Sequence, residues 1–191
     1  MTGGALGGRV LVAPAGRSVR PTTDRVREAV FARLGEIEGA RALDLYAGTG
    51  ALGIEALSRG AARAVFVERA RPALDALRRN VEALGLAGRV RILAREAAAA
   101  LADLGRAGER FDLVFVDPPY ATGEDERVLR AALAAGVLAA GAVVVVERSR
   151  RHALPPIAGL VLADERRYGD TVVGRYVREG GDATQEGGSD R

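Results

Sequence analysis

The chain has 191 residues, 48% of them hydrophobic, with 28 basic and 25 acidic side chains and a formal net charge of +3. That length suits one domain able to bury roughly 70% of its unfolded surface, and no apolar run reaches the length that spans a bilayer. Without cysteine there is no disulfide, no thiolate zinc site and no thiol nucleophile, so base methylation through a cysteine adduct is excluded.

Lysine is absent and the cationic side chains are arginines, a bias that a GC-rich genome produces. Position matters more than total. Over residues 1–33, Arg9, Arg17, Arg20, Arg25, Arg27 and Arg33 face only Asp24 and Glu28, which leaves +4. Charge alone does not separate a phosphate-facing surface from a solvated face. No secretory leader opens the chain, and the cytoplasm is the expected compartment.

Residues 1–8 are glycine-rich and expected to be flexible. Residues 9–13 and 18–20 read as short extended pieces around a Pro14-Ala-Gly turn, a small N-terminal hairpin. A helix is expected from Thr23 or Asp24 as cap, with Val26, Val30, Leu34 and Ile37 as its buried stripe, Arg25 and Arg27 off it, and Gly39 as its stop. From there strands and helices alternate. Strands are predicted over 42–46, 64–68, 90–93, 111–116 and 142–146, the fourth apolar after Asp112 and hence central. Between them lie helical patterns ending near Gly60, starting near Pro72, over 97–104, and through Val128 to Leu133. Segments 160–164 and 171–177 have no room for a crossover helix and should form an antiparallel edge hairpin. The polar tail 179–191 is expected to be disordered. The fold predicted is a doubly wound α/β class, a mostly parallel seven-stranded sheet with a C-terminal antiparallel hairpin. Its divisions are a basic extension over 1–23, a catalytic domain over 24–178 and the tail.

Two stretches carry chemistry. Gly48, Gly50 and Gly53 form G-x-G-x-x-G between the first strand and its helix, the context in which such a loop holds a nucleotide-like cofactor. Glu68 ends the next strand, where an acid binds a ribose hydroxyl pair, which fits NAD as well as S-adenosylmethionine. Asp44 tilts the choice: a carboxylate four residues before Gly48 suits a cationic amino-acid end better than a pyrophosphate. Its bland alternative is a turn-capping role. At the end of the fourth strand stands Asp117-Pro118-Pro119-Tyr120, a stiff turn holding a carboxylate and an aromatic ring. The Asp117 carboxylate and Pro118 carbonyl can accept N–H bonds from a planar amino group, and Tyr120 can stack on its ring. Catalysis there would be positioning and electrostatics. The lone His152 sits in a polar loop and is expected at the surface without a catalytic role. Arg148, Arg150 and Arg151 are either a basic rim or a solvated loop.

With Arg20-Pro-Thr-Thr-Asp-Arg-Val-Arg-Glu28, the Asp44–Gly53 loop, Glu55-Ala-Leu-Ser-Arg-Gly-Ala61, Asp117–Tyr120 and Tyr168-Gly-Asp-Thr171, the chain resembles the class I S-adenosylmethionine-dependent methyltransferases. Within them it resembles the bacterial 16S rRNA guanine-N2 methyltransferases of the RsmD type. The Asp-Pro-Pro-Tyr string is shared with other amino-methylases; the Arg-Pro-Thr-Thr-Asp-Arg segment discriminates more. The resemblance implies S-adenosylmethionine as cofactor, with Asp44, Gly48 and Gly50 along its methionine end, Glu68 on its ribose, and Glu96 with Ala97 at its adenine. Tyr46, Arg69, Thr23 and Asp117 complete the expected cofactor set. It implies that Asp117, Pro118, Pro119 and Tyr120 handle the guanine, the one at position 966 in conventional numbering. Thr22, Thr23 and Arg25 close over cofactor or base, and Arg9, Arg17, Arg20, Thr22 and Arg25 are the RNA-facing residues. The implied partner is 16S rRNA within the small ribosomal subunit. A monomer without membrane or metal partners is expected. Glu96 is longer than the family's usual aspartate or asparagine, and the N-terminus lacks its usual apolar-plus-arginine opening.

An NAD-dependent oxidoreductase on the same fold would need a hydride-transfer residue and a substrate lobe, and neither is visible. A DNA adenine amino-methylase normally carries a separate target-recognition region, for which 191 residues leave no room. A non-catalytic RNA-binding protein is opposed by the intact Asp-Pro-Pro-Tyr and glycine loop.

Overall fold

A computed structural model describes residues 1–13, 24–119 and 123–180. Seven strands form one sheet: β1 (Arg41–Leu45), β2 (Arg63–Glu68), β3 (Val90–Ala94), β4 (Phe111–Val116), β5 (Leu138–Ser149), β6 (Leu160–Tyr168) and β7 (Thr171–Arg178). The order is β3-β2-β1-β4-β5-β7-β6. The first five pair in parallel, and β7 pairs antiparallel with both β5 and β6. The doubly wound sheet and its edge hairpin are therefore as expected. The chain reverses direction across the sheet between β1 and β4, and the crevice beyond their carboxyl ends is where such folds bind ligands.

Strand character follows from sequence. β4 is Phe-Asp-Leu-Val-Phe-Val, and every residue but Asp112 is buried, because helices cover both faces. On one face α4 (Ala97–Arg106) and α5 (Glu124–Ala134) pack through Leu101, Leu104, Val128 and Leu129 onto Leu43, Leu45, Val114 and Val116. On the other, α1 (Asp24–Phe31), α2 (Ala51–Ser58) and α3 (Arg71–Ala83) pack through Val30, Phe31, Ile54 and Leu77 onto Ala42, Phe66, Leu113 and Phe115. Among the described residues no helix is long and apolar enough to cross a membrane.

Several expectations change. Helix α1 ends at Phe31, because Arg33 and Leu34 switch to shorter turns on Val30 and Phe31 at 3.1 and 3.3 Å. Leu34 and Ile37 still pack against the core from outside the helix. Arg27 is buried, bonded to Asp24 at 2.7 Å and 3.5 Å from Glu55, so the stripe pattern misplaced it. Residues 9–13 form no strand, and the hairpin's other half lies outside the described residues. Residues 1–8, expected to be flexible, contain a 3-10 turn (Gly4–Leu6) docked on α2. Thr2 donates to Glu55 from its amide (2.9 Å) and hydroxyl (2.8 Å), Leu6 N–H donates to Ser58 Oγ (2.9 Å), and Ser58 donates to Gly3 O (2.6 Å). Strands β5 and β6 run longer than predicted, and Arg166–Tyr168 belong to β6, leaving Gly169 and Asp170 as the turn.

Candidate active site

The site grows from the end of β1. Tyr46 has φ +62°, the one positive value among the described non-glycine residues, and it turns the chain out of the sheet. Such a conformation in an aromatic residue costs on the order of 1–3 kcal/mol and is held only where surroundings over-determine it. Here the Tyr46 hydroxyl donates to Glu124 Oε1 at 2.6 Å, tying β1 to the start of α5. Burial, foremost, pushes that hydroxyl's pKa up to about 12, so it remains a donor.

The glycine loop is held from β2. Ala47 N–H donates to Val67 O at 3.0 Å, and Gly48 N–H donates to Glu68 Oε2 at 2.9 Å. Glu68 Oε1 accepts from the amides of Arg69 (2.8 Å) and Ala70 (2.7 Å). Gly48 (φ +56°) and Gly50 (φ +84°) are left-handed, and Gly50 caps α2. Their free sides differ. A Cβ on Gly50 would lie 2.4 Å from Leu77 Cδ1, inside the core, whereas one on Gly48 meets nothing within 4 Å. Gly50 thus lets the turn fit the core, while Gly48 opens to the site. Gly53 brings α2 onto β2, since its Cβ would lie 2.4 Å from Phe66.

Four acids line the carboxyl ends of neighbouring strands. Asp44 lies within β1 and Glu68 ends β2; Asp117 follows β4, and Glu147 stands one step beyond the Val116–Val146 pair of β4 and β5. Asp44 is 2% exposed and, among the described residues, accepts one bond, from Gly53 N–H at 2.9 Å. The capping role weighed against cofactor binding is therefore present, and it uses a single carboxylate oxygen. Burial outweighs that bond and, with Glu68 repelling, pushes the Asp44 pKa up to about 7. Asp117 is likewise raised well above the ordinary carboxylate range, by burial first and then by Glu147 and Asp44. Pro118 is buried behind it. Such a cluster favours a cation, and its crowded charges would oppose a pyrophosphate.

At the rim Arg69 and Glu96 form an exposed ion pair, bringing together two expected cofactor residues, and Ala97 begins α4 beside them. Arg9 and Arg25 are exposed, and neither side chain has an ionic partner among the described residues. Arg17, Arg20, Thr22, Thr23 and Tyr120 lie outside the described residues. Arg148 is no rim residue: it is mostly buried, pairs with Glu165 and donates to His152 O. His152 does more than the surface reading allowed, since its Nε2 accepts from Gly123 N–H at 3.1 Å, at the start of α5. Sequence reasoning also missed Glu147 and Glu124. Glu147 had a readable signal, an acid ending an apolar strand as Glu68 does; Glu124 had none. Among the described residues no three His, Asp or Glu side chains are disposed to hold a metal ion.

The profile of a family described as conserved hypothetical protein 95 matches residues 1–177. The ribosomal RNA small subunit methyltransferase D of Escherichia coli is 39% identical over 93% of this chain and 88% of its own length. A Bacillus subtilis chain named as a candidate rRNA methyltransferase, YlbH, is 37% identical over 93% of this chain and 97% of its own. A solved Escherichia coli structure described as a candidate methyltransferase, yhhF, superposes with a TM-score of 0.84 at 39% identity, covering 94% of this chain and 97% of that one.

Proposed function

The chain belongs to the conserved hypothetical protein 95 family, the RsmD family of methyltransferases, and from that premise we propose that it methylates 16S rRNA of the small ribosomal subunit. In this reading it transfers a methyl group from S-adenosylmethionine to the exocyclic N2 amine of a guanine, the 966 type. The observation that carries the reading is the placement of Asp117 and Pro118 directly beside the glycine loop, at one end of adjacent strands β4 and β1. The rRNA comes from the names of the curated relatives, and the guanine amine comes from the chemistry of the Asp-Pro-Pro-Tyr turn.

The residues present fit this cofactor. S-adenosylmethionine carries an ammonium and a sulfonium, and when bound it supplies an electrophilic methyl group. Asp44, with one oxygen committed to Gly53 and no other bond to its carboxylate among the described residues, would hold a cationic end. Gly48 leaves the wall clear for close approach, Glu68 would meet the ribose, and Glu96 and Ala97 the adenine. Toward the base, the Asp117 carboxylate and the Pro118 carbonyl accept the two amine hydrogens and direct the nitrogen lone pair across the crevice. The prolines hold both acceptors rigidly, so positioning needs little reorganisation during reaction. Tyr120 would stack on the guanine, and the departing proton goes to water. A paired guanine keeps N2 in the minor groove, so the target is unpaired or flipped. Arg9 and Arg25 would hold nearby phosphates.

The test is labelled methyl transfer from S-adenosylmethionine to small subunits from a strain lacking the gene, with the product base mapped. Label at N2 of one guanine in 16S rRNA is expected. Label on an adenine or a large-subunit base would assign another substrate, and no label with either subunit would overturn the reading.

A further inference from the structure

Asn80 is the one neutral amide buried in the described core, 2% exposed in the middle of α3. A buried primary amide must find partners for its oxygen and both hydrogens, and each failure costs on the order of 1–3 kcal/mol. Asn80 finds them in two places that have no other reason to meet. Its Oδ1 accepts from Val12 N–H at 2.7 Å, and its Nδ2 donates to Val12 O at 3.2 Å. The second amide hydrogen goes to Thr49 O at 3.0 Å, between the two left-handed glycines of the loop. One side chain thus pairs with the N-terminal arm as a neighbouring strand would, and grips the centre of the cofactor loop.

The arm is fastened at its other end as well. Thr2 reaches Glu55 at 2.9 and 2.8 Å, and the amino terminus donates to Arg9 O. Between these anchors Arg9 and Val10 are held outward, Val10 being 91% exposed. The arm is seated by Glu55 and Ser58 at its start and by Met1, Leu6 and Leu11 against the core, and Asn80 is the side chain that fixes its far end at Val12. The Thr49 bond makes the Asn80 anchor common to the loop.

We propose that Asn80 is a positioning residue that couples the N-terminal arm to the cofactor loop, so that ordering either one favours the other. Residues 1–13 are then part of the machinery that sets the loop, and the exposed Arg9 is presented to RNA in step with cofactor occupancy. This last consequence rests on the function proposed above; the coupling itself does not. Linkage requires reciprocity: the factor by which cofactor protects the arm equals the factor by which the seated arm tightens cofactor binding.

Two variants of the full chain test it. Asn80→Ala removes all three bonds, and Val12→Pro removes only the backbone N–H donated to Asn80, at a residue that is 43% exposed. Amide exchange without cofactor is the first readout. Both variants should exchange Gly50 and neighbouring loop amides about three- to tenfold faster, the range expected for one or two net hydrogen bonds, while β7 is unchanged. A general loss of structure would speed both, so the contrast separates positioning from simple destabilisation. Trypsin cleavage after Arg9 should accelerate similarly. S-adenosylhomocysteine should slow that cleavage in the wild type and lose this effect in Val12→Pro, whose affinity falls by the same factor. Loop exchange in Val12→Pro equal to wild type would overturn the coupling, even if Asn80→Ala fails to fold. A wild type that shows coupled exchange but binds no S-adenosylhomocysteine would leave the coupling standing and remove the cofactor reading instead.

Discussion

Two buried carboxylates in this molecule have opposite fates. Glu55, fully buried in α2, sits between Arg27 and Arg59 and also accepts two bonds from Thr2. Burial alone would raise its pKa, but the bonds from Arg59 and Thr2 outweigh it and hold the group below the ordinary carboxylate range. Asp44, 2% exposed in β1, has one backbone donor and carboxylates for neighbours, and its pKa rises to about 7. Neither side chain reaches solvent to any extent, and the two differ in company as well as in desolvation: Arg59 and Thr2 donate to Glu55, whereas Asp44 has Glu68 and one backbone donor. The first region brings its own cations and is complete. Among the described residues no cation is paired with Asp44 in the second, and a buried carboxylate with a raised pKa beside the glycine loop is a candidate binding group.

The comparison can be broken at several points. The largest effect is expected at Asp117, whose partner in this account is the target amine. Asp117→Ala should lose methyl transfer by at least roughly 10²-fold in single-turnover assays while keeping most cofactor affinity; turnover at the wild-type rate would refute that role. Next come the two compared acids themselves. Glu55→Ala leaves the buried Arg27 with only the exposed Asp24 and removes the acceptor of Arg59 and Thr2, and should cost about 3–5 kcal/mol in denaturant unfolding. Asp44→Asn keeps an acceptor for Gly53 and removes the charge whose burial raises the pKa, so it should not destabilise the fold at pH 8, yet it should weaken S-adenosylmethionine about tenfold or more by removing a charge-assisted partner. Equal stability losses in the two variants would erase the distinction.

Smaller effects separate the loop's glycines. Gly50→Ala pushes a methyl toward Leu77 and should destabilise the fold by about 1–3 kcal/mol. Gly48→Val meets no protein atom at its Cβ, so beyond the cost of its left-handed backbone it should act on cofactor affinity in calorimetry. The smallest effect is the counterpart of Arg27 on the outside. Arg9 is exposed and its side chain has no ionic partner among the described residues, so Arg9→Ala should leave the melting temperature unchanged. It should lower the slope of log affinity against log salt for the RNA by about 0.7, one single-strand phosphate contact.

Much of this was legible in sequence because the signals are local. Apolar runs closed by glycines placed the five parallel strands, and the site motifs sit at strand ends where few residues decide the geometry. What was not legible depends on partners far along the chain. Nothing near Arg27 announces that Glu55 will neutralise it, so the helical pattern put it on the outside. Residues 9–13 look like half a hairpin, but Val12 finds its strand-like partner in the amide of Asn80, 68 residues away. His152 read as a polar loop residue until Gly123 supplied a donor from across the molecule. The capping use of Asp44 was weighed from sequence as an alternative to cofactor binding. The geometry shows the capping bond on one oxygen, Oδ2, with Gly53 N–H as its donor.

The raised Asp44 pKa gives the central claim a sign as well as a size. Between its ordinary value near 3.8 and about 7, the folded protein holds a proton that the unfolded chain has lost. The free protein should therefore lose stability as pH rises through that window and level off above it. A bound cation needs the deprotonated form, so affinity should change in the opposite direction, tightening as pH rises toward 8. The direct measurement is calorimetric titration of S-adenosylmethionine into the wild type at pH 7, in two buffers of different ionisation enthalpy. The account predicts net proton release, on the order of half a proton for a group titrating near that pH, and its disappearance in Asp44→Asn. Binding with no proton release, or with proton uptake, would contradict the claim that the buried acids at the ends of β1 and β4 receive the cofactor's positive charge.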